Sequence, residues 1–100
     1  MRVISKKALE EFIDKHSAAK SPLMTWYRLA SSCQADDLSG LKKTFGTTVD
    51  YVPTKFYVFD VGGNNFRVVA TVHFNRQMLF IRHVLTHKEY DEWTRKNRRK

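Results

Sequence analysis

The chain contains a single cysteine, Cys33, and only 4 glycines and 2 prolines. One cysteine excludes an internal disulfide and a zinc site built on paired cysteines, and it suits a reducing cytoplasm. No segment approaches the roughly 20 apolar residues that span a bilayer, and the first 20 residues hold no long apolar run. We therefore expect a soluble cytoplasmic protein with no membrane span and no signal peptide.

Several sequence motifs of common enzymes are also missing. There is no Walker loop, no Gly-x-Gly-x-x-Gly fingerprint and no serine nucleophile elbow. No three of the 4 histidines have the spacing of metal ligands, so we expect neither a metal nor a cofactor.

Positive charge is what the sequence has in excess. Lys and Arg number 18 against 10 Asp and Glu, which gives a net charge of +8 over 100 residues. Such an excess favours a polyanionic partner: nucleic acid, an anionic membrane or an acidic protein. The basic run over residues 95–100 would add sequence-blind affinity in a nucleic-acid binder.

The length predicts one domain over residues 1–100, and the apolar spacing predicts helices first and strands afterwards. We expect helices near residues 6–16, 22–33 and 38–45, then strands over 56–61, 66–74 and 78–85. The Gly-Gly-Asn-Asn stretch at 62–65 is typical of a hairpin, and Thr86 with Glu89 forms a capping box for a last helix. The predicted fold is α+β: a small antiparallel sheet, made of an N-terminal strand and a three-stranded meander, with the N-terminal helices on one face and a short C-terminal helix.

Arg67 and Arg82 are the first candidate functional residues. Strand alternation places Arg67 opposite the apolar face of its strand, where it would project from the open side of the sheet, and Arg82 lies on the neighbouring strand. Two guanidinium groups side by side suit a bound phosphate. The alternative is that both are solvated, or that they pair with Asp60 or Glu89.

His87, Lys88 and Tyr90 lie in the first turn of the last helix. Cations there oppose the helix dipole, and local conflicts of this kind are expected at functional sites. The alternative is that His87 and Lys88 are solvated while Tyr90 packs on the sheet.

The other basic residues of the strands have simpler interpretations. His83 alternates with Leu79, Ile81 and Leu85, so we expect it on the core face. His73 shares the face of Arg67 near the end of its strand, which makes it a peripheral contact. Lys55 precedes the first strand of the meander and either touches a phosphate backbone or serves solubility.

Three segments resemble a known family. Residues 57–64 (YVFDVGGN), 66–70 (FRVVA) and 81–91 (IRHVLTHKEYD), in this order and spacing, closely resemble HigB-type toxins of the RelE superfamily of bacterial toxin–antitoxin systems. The resemblance implies a RelE-like fold and a ribosome-associated mRNA interferase that a HigA-type helix-turn-helix antitoxin neutralises. It implies chemistry without a metal, in which the ribose 2′-OH attacks the adjacent phosphate, and contact with DNA only through the antitoxin.

By position, the resemblance implies that the catalytic residues are Arg67, Arg82, His87 and Tyr90. His87 would be the general base or acid, Tyr90 would supply the other proton or stack on a base, and the two arginines would stabilise the phosphorane. We expect further RNA contacts from Lys55, His73, Lys88 and Arg95. Composition fits two other functions equally: a non-catalytic RNA- or DNA-binding module, and a protein-interaction domain whose basic face meets an acidic partner.

Overall fold

The computed structural model describes residues 1–53 and 55–97 as four α-helices and a five-stranded sheet. The strands are β1 (Arg2–Ile4), β2 (Val49–Val52), β3 (Phe56–Val61), β4 (Phe66–His73) and β5 (Met78–Thr86). The helices are α1 (Lys6–Lys15), α2 (Lys20–Ser32), α3 (Leu38–Phe45) and α4 (His87–Asn97). The sheet order is β1-β5-β4-β3-β2, which places β4 at its centre.

The α+β class is confirmed, and the sheet differs from the prediction in two respects. It gains β2, which pairs antiparallel with β3, and β1 pairs parallel rather than antiparallel with β5. A parallel partner is possible here because the chain crosses the sheet through the helices before it returns to β5. No helix in the described part of the chain is long and apolar enough to cross a bilayer.

Helices α1, α2 and α3 cover one face of the sheet, which we call the helix-covered face. Leu9, Leu23 and Leu41 are fully buried there against the strand residues Phe59 and Val68. Each such side chain contributes about 1.5–3 kcal/mol on burial. Asp37 caps α3 by accepting a hydrogen bond from the Gly40 amide at 2.9 Å, so the predicted third helix is confirmed.

The hairpin between β3 and β4 turns on two glycines with positive φ. Gly62 has φ +66° and Gly63 has φ +70°, a region that side chains with a Cβ rarely adopt. A Cβ on Gly62 would also lie 3.2 Å from Phe66 Cδ2. The predicted hairpin is therefore confirmed, and its turn requires glycine.

Helix α4 crosses the opposite face of the sheet, which we call the α4 face. Tyr90 and Trp93 pack there on Val52, Val58 and Val69. The predicted capping box is present: the Thr86 amide donates to Glu89 Oε1 at 2.9 Å, and the Glu89 amide donates to Thr86 Oγ1 at 3.2 Å. The start of α4 is thus fixed where β5 ends.

A β-bulge in β5 changes which side chains face the helices. Val69 pairs with His83 and Ala70 pairs with Ile81, so Arg82 is the extra residue. An extra residue reverses the alternation beyond it, and Val84 joins the helix-covered core while Leu85 packs with the α4 cluster. The prediction that His83 lies on the core face is wrong: His83 is exposed, and its ring lies 6.2 Å from that of Trp93.

Candidate nucleic-acid interface

Arg67 lies on the α4 face at the hairpin end of the sheet, where its guanidinium group has five contacts. Nε lies 3.0 Å from Asp60 Oδ1 on β3. Nη1 donates to the carbonyl oxygens of Asn64 and Phe66, both at 3.0 Å, and Nη2 donates to Asn64 Oδ1 at 2.7 Å. Nη2 also lies 3.3 Å from His87 Nδ1. These contacts match in number the five N–H groups of a guanidinium.

The expectation that Arg67 projects from the open side of the sheet is wrong. The residue is 5% exposed, and the Tyr90 ring lies over its guanidinium group at 5.2 Å. The hairpin loop, Asp60 and α4 together enclose it. Pairing with Asp60, one of the two alternatives considered, is what the structure has.

His87 is held between Arg67 and its own helix. For Nδ1 to accept from Arg67 it must be unprotonated, which places the ring proton on Nε2. Nε2 lies 3.6 Å from Asp91 Oδ2, and the His87 side chain is 52% exposed. Three of the four expected catalytic residues, Arg67, His87 and Tyr90, therefore lie together in one cluster. Most hydrogen-bonding groups of this cluster already have protein atoms as partners.

Arg82 lies elsewhere on the α4 face. Arg67 pairs with Leu85, and Arg82, the extra residue of the bulge, lies opposite the gap between Val69 and Ala70, which is about 7–10 Å further along β4. The Arg67 guanidinium group bonds to Asn64 and His87 at the hairpin end, whereas Arg82 bonds to Thr71 further along β4, so the two groups do not share one site. Arg82 is exposed; its Nε donates to Thr71 Oγ1 at 3.0 Å, and its guanidinium carbon lies 5.2 Å from the centre of the Phe80 ring.

An open cleft of about 600 Å³ surrounds Arg82, and we call it the basic cleft. Its lining residues come from the start of β3, the end of β4 and the bulge of β5: Lys55, Phe56, Thr71, Val72, His73, Arg82 and His83. None of these lining residues is acidic. The cleft therefore brings together a lysine, an arginine and two imidazoles beside the ring of Phe56.

Neighbouring aromatic rings hold the cleft residues in place. The His73 ring meets Phe80 edge to face at 5.2 Å, and Lys55 Nζ lies 5.4 Å from the Phe56 ring centre. Phe56 and His83 both contact Trp93 of α4, which in turn stacks on Tyr90 at 5.8 Å. The row from Tyr90 to Trp93 connects the buried Arg67 cluster to the basic cleft.

The remaining predicted RNA contacts lie on α4. Lys88 is exposed in its first turn, and Arg95 is exposed in its last turn. Neither lines the cleft. Residues 98–100 of the basic tail lie outside the described residues.

His83 is the cleft residue that strand alternation assigns to the wrong face. A signal for the bulge does exist in the sequence, since Arg82 and His83 are consecutive polar residues between the apolar Ile81 and Val84. Two polar residues in succession interrupt a strict alternation and indicate an extra residue in the strand.

Within the described ranges, the one group with a clearly displaced pKa lies away from this cleft. Burial raises the pKa of the Tyr57 phenol, with smaller contributions from Tyr51 and Asp37. Tyr57 packs with the helix-covered core, opposite the α4 face. The raised pKa therefore reflects packing and does not mark the cleft.

Fold and cleft together define a small basic α+β protein with a cationic groove on its sheet, suited to a polyanion. A sequence model described as the HigB toxin, RelE-like toxic component of a toxin-antitoxin system, matches residues 19–93. The chain belongs to this family, as the resemblance of its motifs predicts.

Curated relatives align over nearly the whole chain. The mRNA interferase toxin HigB of Escherichia coli strain K12 is 38% identical over 101 residues, which covers 100% of this chain and 97% of that protein. The mRNA interferase HigB of Escherichia coli O6:H1 is 33% identical over 96 residues, with 95% and 93% covered.

Proposed function

We propose that this protein is an mRNA interferase, the endoribonuclease toxin of a type II toxin–antitoxin pair. The observation that carries the proposal is the basic cleft, where Lys55 and Arg82 converge with His73 and His83 beside an aromatic wall. The curated names of the relatives supply the reaction. Cationic and aromatic groups around an open groove are what single-stranded RNA requires.

The proposed reaction is attack of a ribose 2′-OH on the adjacent phosphorus. A base removes the 2′-OH proton, the P–O5′ bond breaks, and an acid protonates the departing 5′-oxygen, which leaves a 2′,3′-cyclic phosphate. Arg82 suits the phosphate because no acceptor in residues 1–53 and 55–97 contacts its terminal nitrogens. Its charge would stabilise the phosphorane oxygens.

Two pairs of side chains compete for the proton transfers. The family resemblance favours His87 and Tyr90, whereas the cleft geometry favours His73 and His83 near Arg82. Imidazole is a common general acid and base, a role that suits His87, His73 and His83, whereas the Tyr90 phenol would act as a proton donor. We favour the cleft pair, because the Nδ1 lone pair of His87 is already engaged by Arg67.

We further propose the partners that the family resemblance implies. The substrate is mRNA on the cytoplasmic ribosome, and a HigA-type helix-turn-helix antitoxin neutralises the toxin. The match to a toxic component of a toxin-antitoxin system supports such a protein partner. Lys88 and Arg95, exposed on α4, are proposed as contacts to flanking RNA or ribosomal phosphates.

Induction of the parent and of Arg82→Ala in cells tests this function. The parent should arrest growth, and primer extension should show new 5′ ends within coding regions. Arg82→Ala should lose most of that cleavage, while Arg28→Ala, an exposed arginine on α2, should cleave like the parent.

Two results would overturn the proposal. If the parent binds RNA but leaves every transcript intact, the chain is a non-catalytic binding module. If Arg82→Ala and Arg28→Ala cleave equally well, the basic cleft is not the reaction site.

A further inference from the structure

Arg82 and His83 line a second cavity as well as the basic cleft. This second cavity is a groove of about 210 Å³ between α1 and β5, which we call the α1 groove. Its other lining residues are Ala8, Glu11, Phe12, Lys15, Ile81 and Val84. The two cavities therefore share one pair of side chains and lie on either side of it.

The α1 groove exists because β1 is short. β1 pairs with β5 only along Met78–Phe80. Beyond that point α1 lies beside β5, and its stripe of Ala8, Phe12 and Lys15 faces Ile81 and Val84. The bulge leaves the side chains of Arg82 and His83 exposed outside the core, where both line the groove.

The chemistry of the groove suits a nucleotide. Its floor is apolar, from Ala8, Phe12, Ile81 and Val84, and its rim carries Lys15 and Arg82. Glu11 is the one carboxylate among the lining residues, and its Oε2 lies 4.0 Å from Lys7 Nζ on the exposed surface of α1. An apolar floor with a cationic rim binds a base and its phosphate together.

We propose that the α1 groove is a second RNA subsite, and that the strand passes around the edge of β5 from one cavity to the other. The phosphate that is cleaved lies at Arg82 and His83, the shared pair. Lys55 and His73 hold the nucleotides on one side of it, and Lys15 holds those on the other. This inference rests on the proposed function and adds a residue, Lys15, that the sequence does not single out.

Binding of single-stranded RNAs of two lengths tests the subsite. A trinucleotide can occupy only one cavity beside the shared pair, whereas a nonanucleotide can occupy both. Fluorescence anisotropy should show that the parent binds the nonanucleotide more tightly than the trinucleotide. Lys15→Glu should bind the nonanucleotide roughly tenfold more weakly than the parent, which is the size of one charge-assisted contact. The slope of log K against the logarithm of salt concentration should become shallower by about 0.7, because one phosphate contact is lost.

Lys43→Glu is the matched control. It makes the same change of charge on an exposed lysine of α3, which packs near β2 at the far edge of the sheet. The control should keep the gain with length. Both substitutions lie on the surface, and thermal unfolding should confirm that both variants stay folded.

The outcomes separate the subsite from the function. If the parent binds and cleaves RNA but Lys15→Glu and Lys43→Glu keep the gain equally, the subsite is disproved and the proposed function stands. The subsite is also disproved, and the proposed function again stands, if the parent binds the nonanucleotide no more tightly than the trinucleotide. A parent that neither binds nor cleaves RNA overturns the proposed function, and the subsite with it.

Discussion

Arg67 and Arg82 project from the same face of neighbouring strands, about 7–10 Å apart along the strand direction. Arg67 is 5% exposed, and its guanidinium group meets five acceptor atoms of the protein. Arg82 is exposed, and among residues 1–53 and 55–97 its one hydrogen bond runs from Nε to Thr71 Oγ1. The first arginine is saturated by the fold, whereas no hydrogen-bond acceptor in the described part of the chain reaches the terminal nitrogens of the second.

Helix α4 creates this difference. Its first turns place His87 and Tyr90 over the hairpin end of the sheet, where they enclose Arg67. Trp93 then marks the edge of the covered region, and the basic cleft opens beyond it. Residue type and strand face are therefore not sufficient to identify a phosphate ligand, because the element packed on that face decides which arginine is accessible.

Arg67→Ala should have the largest effect on stability. The substitution removes the partner of Asp60 and five contacts in a buried cluster, so we expect a loss of about 2–3 kcal/mol in the free energy of unfolding. The expected loss is at the low end of, or below, the loss typical of a broken buried ion pair, because the Asp60 side chain is 38% exposed. Urea denaturation followed by tryptophan fluorescence measures it.

Arg67→Lys refines this measurement. Lysine keeps the charge but lacks the planar fork that meets Asp60 and Asn64 at once, so its loss should be intermediate. An Arg67→Ala variant as stable as the parent would mean that the cluster does not hold α4, and Arg67 would again be a candidate phosphate ligand.

Arg82→Ala should leave stability within about 0.5 kcal/mol of the parent, because the residue is exposed. RNA affinity should fall about tenfold, as for one lost charge-assisted contact. Anisotropy titration at several salt concentrations measures both the affinity and the loss of a phosphate contact. Comparable unfolding losses for Arg82→Ala and Arg67→Ala would remove the distinction between the two regions.

Local sequence rules predict much of this fold, since its turns and caps have local causes. Gly62 and Gly63 must adopt positive φ, Asp37 and Gly46 bound α3, and Thr86 with Glu89 begins α4. Each of these depends on residues within a few positions of one another. The same rules place Arg67, His87 and Tyr90 near one another, because His87 follows the strand that pairs with β4.

The basic cleft depends on features that local rules predict only in part, because the consecutive Arg82 and His83 indicate the bulge but not the packing of α4. A single extra residue in β5 moves His83 from the expected core face to the cleft. The burial of Arg67 depends on where α4 crosses the sheet. That position is set by the packing of Tyr90 and Trp93 on Val58 and Val69. The accessibility of a side chain depends on tertiary packing, so the alternation of residues within one strand cannot predict it.

Thr86→Ala should weaken the anchor of α4 without touching either arginine. It removes the hydroxyl that accepts from the Glu89 amide, at a cost of about 1 kcal/mol for an N-cap. Urea denaturation should show this loss, and RNA affinity should change less than in Arg82→Ala. If Thr86→Ala costs as much stability as Arg67→Ala, the capping box and not the arginine cluster anchors the helix.

His87, beside Arg67, and His83, next to Arg82 in the sequence, give the smallest expected change in stability and a clear difference in cleavage. His87→Ala removes one partly exposed contact to Arg67, so we expect a loss of about 0.5 kcal/mol in stability. His83→Ala, at the rim of the cleft, should keep the stability of the parent and lose RNA cleavage instead. Matched unfolding curves and primer extension on both variants separate the effects. Full cleavage by His83→Ala together with none by His87→Ala would return the proton transfers to the start of α4, and the basic cleft would then serve RNA binding alone.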